Sequence, residues 1–183
     1  TQEIDREKRI DIVECFNEKL ILKQEDSSLR IIDLLNGSVV KVSHQTFITP
    51  SAFIFLYEYN TFLAFEANTV TVWDFNGNLV RRFDNHLLWF PYSGDHTSVI
   101  YITQAQDVII SMCEDPPTSG GKPTTVPPHT VSIHVSSIRS GQCLARIDAK
   151  RSSDLKTSAL CYNEQSGEIV TGNENGIVQV WSN

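Results

Sequence analysis

The chain has 183 residues, 40% of them hydrophobic and 20% charged, which is the composition of a globular domain able to fill a core. Its 22 acidic and 15 basic residues give a formal charge of −7, which disfavours a nucleic-acid surface because phosphate binding depends on clustered Lys and Arg. No apolar run reaches the roughly 18 residues of a membrane-spanning helix, and the charged first residues lack the apolar stretch of a signal peptide.

The cysteines indicate the compartment. There are four of them (Cys15, Cys113, Cys143 and Cys161), widely spaced and without a CxxC pair. Such spacing is typical of reduced thiols, and we expect them in or near the core rather than in disulfides or zinc sites. The sequence therefore predicts an intracellular protein, nuclear or cytoplasmic, without membrane insertion.

The chain begins with a charged lead-in, residues 1–9, that has no strand pattern. From residue 10 onward, short apolar runs alternate with Asn, Gly, Asp and Ser, which is typical of short antiparallel strands and tight turns. The predicted strands are 10–16, 19–23, 28–35 and 39–42; 52–57, 61–66, 69–75 and 79–83; 98–103, 108–113, 130–138 and 142–147; 158–162, 168–171 and 177–181.

The stretch 69–79 sets the phase of this repeat, because a strand ending in Trp73 and Asp74 runs into an Asn-Gly turn at Gly77. Superposing third strands aligns Asp33 with Asp74, and Trp73 with Val135 and Trp181. A four-stranded unit that recurs at roughly 40 to 50 residues is typical of β-propeller blades. The predicted fold is all-β, with blades at about 10–43, 52–84, 98–148 and 158–183, the last lacking its fourth strand.

These strand ends resemble the WD40 repeat, in which a Trp-Asp pair closes the third strand. Trp73-Asp74 matches, whereas Ile32-Asp33, Val135-Ser136 and Trp181-Ser182 are divergent copies, and no Gly-His dipeptide precedes them. The residues that carry the motif are Asp33, Trp73, Asp74, Gly77 and Trp181. The resemblance implies about half of a ring of seven or so blades, with the remaining blades supplied by an upstream segment of the same protein.

Two loops are candidates for partner binding. The segment that joins the second and third blades is unusually aromatic; its residues are His86, Leu88, Trp89, Phe90 and Tyr92. It either packs between blades or faces a partner. Arg151 and Lys156 form a modest basic loop between the third and fourth blades, where solvation alone also accounts for them.

A Pro-rich and Gly-rich insertion at 114–129 interrupts the third blade, because five prolines and two glycines exclude a ladder strand. Its interpretation stays open between a surface insertion without a specific role, a regulated tether and a short docking segment.

No motif in the sequence indicates enzymatic catalysis or metal binding. The first strands offer mainly Asp11, Glu14 and Tyr57 for acid-base work, too few for a site, and His44, His129 and His134 lack zinc-ligand spacing. We therefore expect no catalytic residues, no metal and no cofactor.

The expected function is that of a non-enzymatic interaction scaffold in a multiprotein complex. By resemblance to the WD40 family, a substrate-receptor subunit of a ubiquitin ligase that captures a peptide segment is the specific expectation. The alternative is a nucleic-acid-binding platform of an RNA-processing or chromatin complex, in which Trp89, Phe90 and Tyr92 stack on bases. The alternative predicts affinity that falls steeply with salt.

Overall fold

A computed structural model describes residues 4–66, 69–83, 100–114, 131–148, 157–173 and 175–182. Within these ranges the secondary structure consists of fifteen β-strands and one short 3-10 helix, Tyr57–Tyr59. The predicted all-β class is therefore confirmed. Several predicted strands have the predicted bounds, because their apolar alternation ends at Asn, Gly or Asp turns.

The strands form four antiparallel sheets, and within each sheet the spatial order follows the chain order. Sheet A contains β1 Ile10–Phe16, β2 Lys19–Gln24, β3 Leu29–Asp33 and β4 Val39–Val42; sheet B contains β5 Ala52–Leu56, β6 Thr61–Glu66, β7 Thr69–Asp74 and β8 Leu79–Arg82; sheet C contains β9 Ile100–Ile102, β10 Val108–Glu114, β11 Val131–Ser137 and β12 Cys143–Asp148; sheet D contains β13 Thr157–Asn163, β14 Glu168–Asn173 and β15 Val178–Trp181. This is the meander expected of each predicted blade, and the assembly of the sheets into a propeller stays a prediction.

The chain divides into two compact units, Thr1–Arg82 with sheets A and B, and Phe83–Asn183 with sheets C and D. In the first unit, one face of sheet A packs on one face of sheet B. Their shared core contains Ile21 and Ile31 from sheet A, Phe62 and Trp73 from sheet B, and Phe47 from the connection between the two sheets. We call the face of sheet A that contacts sheet B its forward face, and the contacting face of sheet B its rear face.

The second unit repeats this contact. The forward face of sheet C, with Ile110, Met112 and Ile133, packs on the rear face of sheet D, with Leu160 and Ile169. A ring contact between Tyr101 on β9 and Tyr162 on β13, with centroids 5.9 Å apart, joins the first strands of the two sheets. In both units the first sheet packs through the face that carries the third residue of its second strand (Ile21 or Ile110), and the second sheet packs through the face that carries the second residue (Phe62 or Ile169). We use forward face and rear face for these two faces of every sheet, and the two units thus share one packing rule.

The strand registers correct the superposition of third strands. Trp73 pairs with Phe62 and Trp181 with Ile169, each pairing with the second residue of the preceding strand, whereas Val135 pairs with the third residue of β10. Ser136 is therefore the residue equivalent to Trp73. The alignment on Val135 was wrong by one position, and a one-residue shift transfers every side chain to the opposite face.

The cysteine prediction was also partly wrong. All four thiols are free, but only Cys113 is buried, and Cys15, Cys143 and Cys161 are exposed. Each exposed cysteine lies on a strand whose apolar neighbours suggested a core position. Alternation along a strand identifies which residues share a face, but not whether another sheet covers that face.

In the described ranges, no helix has the length and apolar character needed to cross a bilayer.

Candidate interaction surface

The residues predicted to bind a partner lie outside the described residues. These are His86, Leu88, Trp89, Phe90 and Tyr92 in the aromatic segment, with Arg151 and Lys156 in the basic loop. The insertion at 114–129 also lies outside them except for its first residue. The structure thus leaves those predictions as predictions, and the described residues contribute a surface of their own.

The two tryptophans of the predicted motif make the same hydrogen bond in their sheets. Trp73 Nε1 donates to Thr71 Oγ1 at 3.0 Å, and Trp181 Nε1 donates to Thr171 Oγ1 at 3.0 Å. Trp73 is 1% exposed and packs edge-on against Phe47, with ring centroids 5.2 Å apart, whereas Trp181 is partly exposed on the edge strand β15. A buried Trp needs a partner for its N–H, and a Thr on the same sheet face provides it.

The two aspartates of the motif close the turn after the third strand. Asp74 Oδ1 accepts bonds from the backbone amides of Asn76 at 2.9 Å and Asn78 at 2.8 Å, and Asn78 Nδ2 donates to Oδ2. Burial raises the pKa of Asp74, but these hydrogen bonds outweigh it and hold the pKa below its ordinary value. The tryptophans and aspartates of the motif therefore stabilise the sheets and their turns.

Asp33 occupies the corresponding turn of sheet A. Its carboxylate accepts a bond from Lys19 Nζ and bonds from the amides of Leu35 and Asn36. The Lys19 bond, followed by the two amides, lowers the pKa of Asp33. A Gly with positive φ follows each aspartate, +75° at Gly37 and +79° at Gly77, but Gly37 comes four residues after Asp33 and Gly77 three residues after Asp74, so the turns differ in length.

An aromatic stack lies at the turn end of sheets A and B. Phe16, which precedes the β1–β2 turn, stacks on Phe55 at 4.5 Å and on Phe75 at 5.3 Å between ring centroids. Tyr57 meets the Phe16 ring edge-on at 4.8 Å and remains 66% exposed. A rigid, exposed Tyr over a buried ring stack presents apolar area at low entropic cost, which is typical of a binding anchor.

Two exposed leucines lie at the same end of sheet A. Leu34 and Leu35 follow β3, and the Leu34 amide donates to the Glu18 carbonyl in the β1–β2 turn at 2.8 Å, so both turns lie at the same end as Phe16. Leu35 is 75% exposed and Leu34 is also exposed. We call Leu34, Leu35 and Tyr57 the turn-end patch. Sequence reasoning treated Tyr57 as an acid-base candidate and missed the patch, although two consecutive leucines in a tight turn were a usable signal.

The opposite end of the first unit is polar and holds the lead-in. Gln24 Nε2 donates to the Asp5 carbonyl at 2.6 Å and the Lys8 carbonyl at 3.2 Å, while its Oε1 accepts from the Asp5 amide. Asp11 occupies a register irregularity in β1, where Arg9 donates to it at 3.0 Å and Lys23 Nζ lies 3.9 Å away. Asp11, which the sequence analysis weighed for acid-base work without assigning it a catalytic role, is therefore part of an ion-pair cluster with Arg9 and Lys23.

Glu66 ends β6 at this polar end. Its carboxylate is almost fully buried, and among the described residues its Oε1 has no hydrogen-bond partner. Burial raises the pKa of Glu66 above its ordinary 4.5, and the charge of Arg82 offsets only part of that rise. The ionised side chain is therefore held at a cost to the folded state.

We expect Glu66→Gln to increase the free energy of unfolding at pH 7. A raised folded-state pKa means that the folded chain binds more protons than the unfolded chain above pH 4.5, so wild-type stability falls as pH rises through that window. The gain should shrink to nothing near about pH 3, where Glu66 is neutral in both states. Urea denaturation at several pH values measures it. Glu14→Gln, at an exposed position, should change stability by less than about 0.5 kcal/mol, and a Glu66→Gln gain that persists at low pH would contradict the explanation.

Sheet C contains a serine and histidine pair, with Ser132 Oγ and His134 Nε2 3.0 Å apart. Ser132 is fully buried and His134 nearly so, whereas a nucleophile must meet its substrate. The pair is therefore assigned to packing. Across the described ranges, no group of three or more His, Cys, Asp or Glu side chains is placed to hold a metal ion.

A profile of the family described as "Domain of unknown function (DUF7899)" matches residues 1–181. The chain belongs to this family. Among curated proteins, none matches this DUF7899 chain.

Solved structures resemble the chain in fold. The computationally designed Ika4 protein has a TM-score of 0.53 at 19% identity, and the match covers 100% of this chain and 98% of that one. The computationally designed Ika8 protein has a TM-score of 0.50 at 17% identity, and the match covers 96% of this chain and 46% of that one. The fold of the DUF7899 chain is thus seen both in a chain of matching extent and as less than half of a longer chain.

Proposed function

We propose that this DUF7899 domain is a non-enzymatic protein-interaction scaffold whose four sheets are blades of a β-propeller. The meander order of every sheet and the packing of sheets through apolar faces within each unit support the blade assignment. Stiff sheets with short turns hold surface side chains in fixed positions, which suits recognition of a partner. The resemblance of the strand ends to WD40 repeats points to the same role.

The observation that carries this proposal is the turn-end patch. An isolated exposed apolar residue is ordinary, but Tyr57 and the two leucines lie at one end of the same pair of sheets. Tyr57 is supported from below by Phe16, so its ring is ordered before binding. A partner that covers such an anchor therefore loses little side-chain entropy.

The partner is another protein subunit of a multiprotein complex, and a peptide segment with apolar side chains fits the patch. The aromatic segment with Trp89, Phe90 and Tyr92 is the second predicted surface. A complete ring would require further blades, which an upstream segment of the same protein or a second copy of this chain can supply. Peptide capture suits a substrate-receptor subunit of a ubiquitin ligase, and the four free thiols suit a nuclear or cytoplasmic protein.

The test replaces Tyr57, the aromatic anchor of the turn-end patch. Proteins captured by the immobilised 183-residue chain are identified, and the affinity of the tightest is measured by calorimetry. Tyr57→Ala should weaken it roughly 30-fold, because an anchor contributes about 2 kcal/mol. Leu144→Ala, at an exposed apolar position on sheet C, is the matched control and should leave the affinity unchanged. Circular dichroism verifies that both variants fold.

The other outcomes are distinct. If Tyr57→Ala binds normally and a variant with Trp89→Ala and Phe90→Ala does not, the aromatic segment is the interface and the turn-end patch is refuted. An affinity that falls steeply with salt would favour the nucleic-acid platform, since an apolar peptide contact changes little with ionic strength. No saturable protein partner would contradict the scaffold itself.

A further inference from the structure

The forward face of sheet D is apolar and exposed. The strand registers place six small or medium residues on it: Ala159, Cys161, Val170, Gly172, Val178 and Val180. Val178 is 66% exposed and Val180 is 57% exposed. The space in front of Gly172 is open, since a Cβ added there meets no atom within 4 Å. A strand glycine with open space before it permits close approach of another backbone.

The rear face of sheet A, at the other end of the sequence, is partly exposed. The registers place Val13, Cys15, Leu20, Leu22, Ile32 and Val39 on it, together with Arg30 on β3 and Lys41 on β4. Val13 is 58% exposed and Cys15 is exposed, although the middle of the face, at Leu22 and Ile32, is buried. Its side chains are larger than those on the forward face of sheet D, so the two faces complement each other in size.

In the described residues, the forward face of sheet D and the rear face of sheet A are therefore mainly apolar faces with exposed side chains. Within each unit a forward face packs on a rear face, sheet A on sheet B and sheet C on sheet D. We propose that the forward face of sheet D packs on the rear face of sheet A of a second copy of this chain. The contact is independent of the turn-end patch and of any captured peptide.

A second copy is the occupant because both halves of the contact are encoded in one sequence. A sheet face three strands wide and about five residues long measures roughly 14 by 17 Å, well below the ~800 Å² per partner of a stable complex. An arrangement that engages both faces of each copy doubles the contact and is favoured over a single one.

Sheet equivalence also identifies residues that meet across this contact. In sheet D, Cys161 pairs with Val170 and so occupies the position that Tyr101, paired with Ile110, occupies in sheet C. In sheet A, Cys15 pairs with Leu20 and so occupies the position that Tyr162, paired with Ile169, occupies in sheet D. Tyr101 and Tyr162 are in ring contact between sheets C and D. By the same geometry, Cys161 of one copy lies close to Cys15 of the other.

The test uses the 183-residue chain and two readouts. Sedimentation velocity should show a species of twice the 20.6 kDa chain mass that dissociates on dilution. A short bismaleimide should join two chains through Cys15 and Cys161, as identified by peptide mapping. Cys15→Ser or Cys161→Ser should abolish that product, and Cys143→Ser, at an exposed cysteine on β12, should not.

A second variant introduces negative charges into the proposed contact on sheet D. Val178→Glu with Val180→Glu should weaken self-association by roughly tenfold or more, because each carboxylate would be buried without a partner. Gln179→Glu is the matched control, since Gln179 lies between these residues on the opposite face of β15. The proposal is overturned if the chain stays monomeric at high concentration, if the bismaleimide joins Cys15 and Cys161 only within one chain, or if the linked dimer forms through Cys143. A strict monomer would assign the two faces to other blades, such as an upstream segment.

Discussion

Trp73→Ala is expected to lower the free energy of unfolding by about 3–5 kcal/mol, the range for removing a large aromatic side chain from a core. Trp73 is 1% exposed and contacts the core between sheets A and B, including Phe47. Truncation leaves a cavity that these rigid strands cannot fill by collapse. Urea denaturation followed by far-ultraviolet circular dichroism measures the loss.

Trp181→Ala is the matched control for burial. Both tryptophans donate an indole hydrogen bond of 3.0 Å to a Thr of the same sheet, but Trp181 is partly exposed. The hydrogen bond is therefore lost equally, and the difference between the two variants reports the packing. We expect Trp181→Ala to cost less than half as much, and equal losses would show that the Thr bond, not burial, dominates.

Trp73→Phe separates the two contributions at one position. Phe keeps an aromatic ring against Phe47 and loses the bond from Nε1. Thr71 Oγ1 retains its bond to the Ala64 carbonyl at 3.3 Å, so it is not left without a partner. The loss should therefore be about 1–2 kcal/mol, from one net hydrogen bond and a small volume change.

Strand positions were predictable from the sequence because both signals are local. The predicted bounds of β4, Val39–Val42, and of β6, Thr61–Glu66, agree with the structure. Each is a run of apolar and β-branched residues bounded by Asn, Gly or Ser, and turn chemistry does not depend on the rest of the fold. The meander order of each sheet follows, because short turns join strands that are neighbours.

The pairing of faces was not predictable in the same way. In β11 both faces are buried, one through Ile133 and the other through Ser132 and Ser136. An alignment guided by hydrophobicity chose Val135, whereas the register selects Ser136 as the equivalent of Trp73. Hydrophobic alternation is uninformative when a small polar residue fills the position that a Trp fills elsewhere.

The exposure of individual side chains was not predictable from the sequence, for a different reason. The sequence predicted Cys161 to lie in or near the core, yet it is exposed, as is Val178 on the same face of sheet D. The sequence predicted that Tyr57 ends the strand at 52–57, yet it lies in the 3-10 helix after β5, with its ring against Phe16. Exposure and ring contacts between sheets depend on tertiary packing, which local patterns do not encode.

Gly77→Ala is expected to destabilise the chain by about 2–5 kcal/mol, the sum of two costs that Gly37→Ala separates. Both glycines lie in the turn after the third strand of their sheet and have closely similar φ, +75° and +79°, where an L side chain costs roughly 1–2 kcal/mol. A Cβ on Gly37 meets open space, so Gly37→Ala reports that backbone cost alone. A Cβ on Gly77 meets Val42 Cγ2 at 2.7 Å and Val40 Cγ1 at 2.9 Å.

The steric part of the Gly77 cost should be about 1–3 kcal/mol, because valine side chains are stiff at χ1 and cannot turn away cheaply. These valines belong to β4 of sheet A, whereas Gly77 belongs to the β7–β8 turn of sheet B. The close approach therefore holds the two sheets together. In a double-mutant cycle, Val42→Ala should recover much of the extra cost of Gly77→Ala and none of the cost of Gly37→Ala. Equal losses for the two glycine variants by urea denaturation would mean that the contact yields freely and that the turn conformation alone requires glycine.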